Sequence, residues 1–141
     1  MKYALNKNKY LLEPEAEKLM SLVNTYLDKD TRNCLLILLA LKTGARAQEI
    51  LNLKKSDLNI YDEAVFIRGI KGSNDREIPL KPELFRTLKK YCETIKTDQI
   101  FPISYNRFRQ VWDFYRPVPK KLHSLRHTFA IMLYKKTKDI R

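Results

Sequence analysis

The first third of the chain shows apolar residues at the three- and four-residue spacing of a helix. Because proline suits the first turn of a helix, the pattern predicts a helix that begins near Pro14. Its apolar face is formed by Ala16, Leu19, Met20, Val23, Tyr26 and Leu27. A second helix is predicted from a cap at Asp30 through Leu41, and because it is apolar nearly all round, it should be central and buried.

The pattern then breaks and changes its period. Thr43-Gly44 ends the second helix, and a short third helix is predicted over residues 45–53. Two later runs, 65–68 and 78–80, alternate in the manner of β-strands. The turn-forming sequence Gly72-Ser73-Asn74-Asp75 lies between them, so the pattern predicts an antiparallel hairpin.

Helical spacing returns in the second half of the chain. Pro82 begins one predicted helix, Ser104 caps the next, and a last helix is predicted over residues 124–138. The residues of the middle helix expected to face inward are Tyr105, Phe108, Val111, Trp112 and Tyr115. The predicted fold class is therefore α+β, mainly α-helical with a small antiparallel β-hairpin or sheet. Residues 13–141 are interpreted as one domain and residues 1–12 as an arm or linker remnant.

Charge is the first indication of a partner. The 28 basic and 16 acidic residues give a net charge of +12, and residues 101–141 hold ten of the basic side chains but only two of the acidic ones. A basic surface concentrates anions, and nucleic acid is the commonest such partner. A solvated basic surface without a partner is the alternative.

Other classes of function find little support in the composition. The two cysteines, Cys34 and Cys92, fall within apolar helical patterns and are expected in the core, and no Cys/His cluster has the spacing of metal ligands. The longest apolar run, 34–41, is too short to span a membrane, and the first ten residues lack the apolar segment of a signal peptide. We therefore expect a soluble, cytoplasmic protein with neither metal nor membrane.

Three local groups carry candidate chemistry. Arg46 follows a helix break with Glu49 three residues later, so the arginine could direct its guanidinium at a phosphate, although an intrahelical ion pair is the alternative. Lys71 at the hairpin turn could reach a DNA groove or donate a proton, or it could simply be solvated. His123 and Arg126 at a helix start could face one anion, or form a polar cap.

The order of these groups resembles the tyrosine recombinase (phage integrase) family. Thr43-Gly44-Ala45-Arg46, followed by Glu49-Ile50-Leu51-Asn52-Leu53 and Ser56-Asp57, is similar to that family's first arginine box. His123-Ser124-Leu125-Arg126-His127-Thr128-Phe129-Ala130 is similar to its second box, with the hairpin lysine Lys71 between the two. The resemblance extends from residue 13 onward. His127 is expected to point away from the site and to be structural.

The resemblance implies a mechanism of DNA strand cleavage and rejoining. In the family a tyrosine hydroxyl attacks the DNA backbone and holds the 3′ phosphate covalently, without a metal or nucleotide cofactor. Arg46 and Arg126 would hold the non-bridging oxygens of the phosphate, and Lys71 would protonate the leaving 5′ oxygen. His123 would assist proton transfer, and Glu49 would hold the site residues in place without contacting the phosphate itself.

The resemblance also implies what this sequence lacks. The family's nucleophilic tyrosine follows the second box by more residues than the 15 that separate Arg126 from Arg141, and Tyr134 lies only eight residues after Arg126. We therefore expect no nucleophile in this chain and a catalytic domain truncated before it. A non-catalytic, shortened DNA-binding relative that occupies sites or pairs with a full-length recombinase is the alternative. A basic RNA-binding module is disfavoured by the absence of an RNA-recognition aromatic pattern. The expected partners are double-stranded DNA and other recombinase protomers.

Overall fold

A computed structural model describes the backbone of residues 7–140 and the side chains of residues 7–137. Six helices, a three-stranded antiparallel sheet and a 3₁₀ turn at Lys55–Asp57 form this part of the chain, which confirms the predicted fold class. The elements in order are α1 Glu13–Tyr26, α2 Thr31–Thr43, α3 Ala47–Leu51, β1 Leu58–Asn59, β2 Ala64–Ile67, β3 Arg76–Pro79, α4 Pro82–Thr94, α5 Tyr105–Tyr115 and α6 Ser124–Ile140.

Helix α2 forms the centre of the core, as its pattern predicted. Every residue from Cys34 to Leu41 is buried, and the helix packs against each of the other five. Burial of each large aliphatic side chain contributes about 1.5–3 kcal/mol. The burial of Cys34 and Cys92 confirms that both belong to the core.

The two predicted helix caps differ in outcome. The hydroxyl of Ser104 accepts a hydrogen bond from the Arg107 amide at 3.1 Å, which confirms the cap of α5. Asp30 precedes α2, but its carboxylate makes no capping bond. It accepts hydrogen bonds instead from the Tyr115 hydroxyl at 2.6 Å and from the amide of Asn33 at 3.0 Å. This carboxylate therefore joins the start of α2 to the end of α5.

The sheet consists of the predicted hairpin and one further edge strand. Strands β2 and β3 pair in antiparallel register, with Val65 opposite Ile78, and β1 adds a two-residue edge with Leu58 opposite Val65. Two residues are too few to show a period in a sequence, so pattern alone could not reveal β1. The sheet extends a loop, residues 68–75, towards the start of α3.

The segment before α1 is attached to the last helix and to the loop that precedes it. Leu11 is buried, and its amide donates to the Thr128 hydroxyl at 2.7 Å. The Lys120 ammonium donates to the carbonyls of Lys7 and Tyr10, at 2.9 Å each. Residues 1–6 of the predicted arm lie outside the described residues, and the division at residue 12 stays a prediction.

None of the helices within residues 7–140 combines the length and the apolar character needed to cross a lipid bilayer. In the same part of the chain, no group of three or more His, Cys, Asp and Glu side chains is arranged to hold a metal ion.

Candidate active site

The end of α2 sets the geometry of the first arginine. Gly44 has a φ of +68°, a left-handed conformation that glycine adopts without steric cost, and its amide bonds back to Ala40. A Cβ at this position would collide with the ring of Phe129 on α6. Position 44 therefore requires glycine for two reasons: the left-handed turn that precedes Arg46, and the close packing of α6.

Arg46 is held by the hairpin loop rather than by an ion pair within its own helix. Its Nε donates to the Ser73 hydroxyl at 3.1 Å, and its backbone amide donates to the Glu49 carboxylate at 2.7 Å. The alternative of an intrahelical ion pair between the two side chains is wrong, because the ion pair of Glu49 is with Arg76 on β3, at 3.0 Å. Glu49 thus positions Arg46 by accepting a hydrogen bond from the Arg46 backbone amide.

The Glu49 carboxylate is a buried junction between α3 and the hairpin. It is 1% exposed and also accepts a hydrogen bond from the Ile70 amide at 3.1 Å. Burial alone would raise the pKa of Glu49, but the hydrogen bonds from Arg76 and from the amides of Arg46 and Ile70 outweigh it. These bonds hold the pKa below its ordinary value, so the group is a carboxylate at neutral pH.

Lys71 lies at the exposed tip of a tight turn. The Ser73 amide donates to the Ile70 carbonyl at 2.9 Å, and the two central residues, Lys71 and Gly72, have φ values of +50° and +85°. Both values are positive, as a type I′ turn requires. The turn is therefore formed by residues 70–73, two residues earlier than the predicted 72–75, because Lys71 itself takes a left-handed conformation that its residue type did not suggest.

His123 and Arg126 stand at the beginning of α6. Arg126 donates from one Nη to the Gly44 carbonyl at 2.7 Å. Burial lowers the pKa of His123, and the charges of His127, Arg126 and Arg46 lower it further. His127 is not among the residues that line the cleft, but its ring meets that of His123 edge-on with centroids 4.7 Å apart. One helical turn separates the two histidines, which places them on the same face.

The four predicted site residues, Arg46, Lys71, His123 and Arg126, line one open cleft of about 610 Å³. The cleft also contains Tyr105, which the pattern placed inside the protein. Tyr105 is 47% exposed because the first residue of a capped helix lies at its open end. Tyr134 is 64% exposed and is not part of the cleft lining.

Two further residues support the site and were missed from the sequence. Arg76 holds Glu49, and Ser73 holds Arg46. Each lies 27 positions away in sequence from the side chain that it contacts, so local spacing carried no signal. The proximity of a basic residue to the predicted turn was the one available indication of Arg76.

Comparison with known proteins matches this arrangement to one family. Residues 9–141 match the model of the phage integrase family, and this span includes both arginine motifs and the hairpin lysine. The chain belongs to the phage integrase family. Among curated members, tyrosine recombinase XerA of Pyrococcus horikoshii is 31% identical over 94% of this chain and 50% of its own length. The chain spans about half the length of the curated relatives that it matches.

Solved structures of tyrosine recombinases share the fold. XerH recombinase bound to its difH substrate in a pre-cleavage complex superposes with a TM-score of 0.70 at 27% identity, over 96% of this chain and 46% of XerH. XerA recombinase superposes with a TM-score of 0.67 at 26% identity, over 96% of this chain and 53% of XerA. The integrase-family fold therefore accounts for nearly the whole of this chain.

Proposed function

We propose that this integrase-family chain binds double-stranded DNA and holds a backbone phosphate for site-specific strand cleavage and rejoining. The observation that carries the proposal is the meeting of Arg46, Lys71, His123 and Arg126 in one cleft. These side chains come from the start of α3, the hairpin loop and the start of α6, so their convergence depends on the tertiary fold. XerH, a structural neighbour, is bound to its DNA substrate.

The two arginines would hold the non-bridging oxygens of the phosphate. Ser73 occupies the Nε of Arg46, and Gly44 occupies one Nη of Arg126. Within the described residues, the remaining guanidinium N–H groups have no protein acceptor. Each arginine is thus fixed on one side and free to donate on the other, the arrangement that bidentate phosphate recognition uses.

Lys71 and His123 would serve proton transfer. The exposed Lys71 ammonium, on a long stem at the tip of its turn, can reach a leaving 5′ oxygen and donate a proton to it. His123, with its pKa lowered by burial and nearby cations, is mostly neutral at neutral pH. A neutral imidazole can both donate and accept a hydrogen bond, as a proton relay requires.

The attacking tyrosine is proposed to lie outside the cleft described here, so that the chain alone binds the phosphate but does not cleave the strand. Tyr115 is buried and bonded to Asp30, which raises its pKa, and Tyr134 is not part of the cleft. Tyr105, which does line the cleft, is the alternative nucleophile that the trapping experiment tests. We propose that a second recombinase protomer contributes to the complete assembly. The exposed apolar side chains on α6, Met132, Leu133 and Tyr134, offer a surface for such a contact. A DNA substrate is also consistent with a cytoplasmic location.

The proposal is tested by DNA binding in solution. Fluorescence anisotropy with a labelled duplex of about 30 base pairs compares the chain with Arg46→Gln and Arg126→Gln. Arg86→Gln, on the exposed surface of α4, removes the same charge away from the cleft and serves as the matched control. We expect both cleft variants to bind about tenfold more weakly than Arg86→Gln, since each removes a charge-assisted contact. Equal affinity of all three variants would refute the assignment of the cleft.

A further inference from the structure

Arg76, which forms an ion pair with Glu49, lies outside both arginine boxes of this sequence. Arg76 donates from Nη2 to one Glu49 oxygen at 3.0 Å and from Nη1 to the other at 3.4 Å. A second bond of Nη1, to the Asn74 carbonyl at 3.0 Å, fixes the same guanidinium to its own loop. Arg76 is therefore held between the loop that carries Lys71 and the carboxylate beneath the cleft.

Glu49 also bonds two backbone amides, one at the start of α3 and one in the hairpin loop. One oxygen accepts from the Arg46 amide at 2.7 Å and the other from the Ile70 amide at 3.1 Å. Ile70 immediately precedes Lys71, and Arg46 lines the same cleft. The single carboxylate thus sets the backbone positions of a proposed phosphate ligand and of the proposed acid.

We infer that Arg76 is a positioning residue, which acts through Glu49 to hold Arg46 and the Lys71 turn in the geometry that receives a DNA phosphate. This inference rests on the proposed function. Without Arg76, the buried carboxylate loses its neutralising partner, and the more distant charge of Arg126 is left to act on it. A buried charge left unpaired is costly, so the junction would rearrange or take up a proton.

The neighbouring pair of Arg68 and Asp57 provides a matched control. Arg68 bonds Asp57 at 2.7 Å, Asp57 is also buried, and it accepts the Lys54 amide at 2.8 Å. Arg68→Gln therefore breaks an equivalent ion pair and removes an equal charge without touching Glu49. A merely structural role predicts similar behaviour for Arg76→Gln and Arg68→Gln.

The first measurement is affinity for the same labelled duplex. We expect Arg76→Gln to bind about tenfold more weakly than Arg68→Gln, the size typical of losing a hydrogen-bonded support behind a site. In a Glu49→Gln background the Arg76→Gln change should have little effect on affinity, since its route of action is gone. Equal affinity of Arg76→Gln and Arg68→Gln, or an undiminished effect in that background, would overturn the inference, the latter by indicating a direct DNA contact.

The second measurement follows the backbone amides of Arg46 and Ile70 by nitrogen–proton NMR across a pH titration. In the unaltered chain the chemical shifts of both amides should be constant above the ordinary glutamate pKa of 4.5, because Glu49 is already ionised there. In Arg76→Gln both should titrate together with a midpoint higher than in the unaltered chain, since burial is then opposed only by the two amide hydrogen bonds. Unchanged amides in this variant would contradict the inference. Arg76→Lys keeps the charge and should restore most of the native behaviour, and it decides the matter if the glutamine variant does not fold.

The Arg46→Gln variant distinguishes failure of the Arg76 positioning role from failure of the proposed function. If Arg46→Gln weakens DNA binding while Arg76→Gln matches Arg68→Gln, the positioning role fails and the proposed function stands. If Arg46→Gln also matches Arg68→Gln, the cleft is not the phosphate site and the proposed function itself fails.

Discussion

The guanidinium of Arg126 donates to the carbonyl oxygen of Gly44 at 2.7 Å, across 82 positions of sequence. This bond joins the two arginine motifs directly. Gly44 ends α2 in a left-handed conformation and contacts Phe129, one turn of α6 beyond Arg126. The position of the second arginine therefore depends on the turn that delivers the first.

We expect Gly44→Ala to destabilise the fold by about 2–4 kcal/mol, because a left-handed alanine costs roughly 1 kcal/mol and the clash with Phe129 adds the cost of overpacking. Gly72→Ala is the matched control, because Gly72 also has a positive φ but open space around it. The Gly72→Ala variant should lose only the stability that the left-handed backbone costs, about 1 kcal/mol of unfolding free energy. Chemical denaturation measures both, and equal losses would contradict the role assigned to the packing against Phe129.

The pKa of His123 should lie below the ordinary histidine value of 6.5, because the side chain is partly desolvated and faces His127, Arg126 and Arg46. Since its pKa is lower in the folded chain than in the unfolded chain, stability falls as pH drops from 6.5 towards the folded pKa. Proton NMR of the imidazole gives the midpoint. His127→Gln and Arg126→Gln should each move it upward, and a midpoint at or above the ordinary value would contradict the described surroundings.

Affinity for DNA should fall steeply with added salt, because counterions are released when cations meet phosphates. The logarithm of affinity is expected to decline linearly with that of salt, by about 0.9 for each phosphate neutralised. Arg46→Gln should reduce the slope by about one unit. A salt series by anisotropy provides the slope, and a flat response would exclude the basic surface as the source of affinity.

The chain alone should form no covalent bond with DNA. The test uses nicked duplexes that trap a cleaved intermediate, followed by denaturing electrophoresis. Positioning and charge stabilisation accelerate a reaction only when the attacking group is held in line, and the exposed Tyr134 does not line the cleft.

An adduct from the chain alone would contradict this expectation, and its loss in Tyr105→Phe or Tyr134→Phe would identify the nucleophile. Tyr105 is included because it lines the cleft. An adduct that appears only after addition of a full-length relative, disabled at its own second arginine, would support assembly with another protomer.

The sequence allowed the helices and both arginine motifs to be predicted, because each depends on spacing within a few residues. The central position of α2 followed from its all-round apolar character in the same way. Local spacing carries no information on distant partners, so the ion pair of Glu49 with Arg76, 27 positions later, could not be predicted. The placement of Tyr105 failed for a different reason, since an apolar face is uninformative at the first residue of a helix.

The loop that carries Lys71 is fastened at its base on three sides. The Gly69 amide donates to Asp75, the Ile70 amide to Glu49, and Arg46 to the Ser73 hydroxyl. Conformational freedom is therefore removed here when the chain folds, rather than when DNA arrives. A ligand that meets a preorganised loop loses little affinity to ordering it, so the mobility left to the lysine is that of its own side chain.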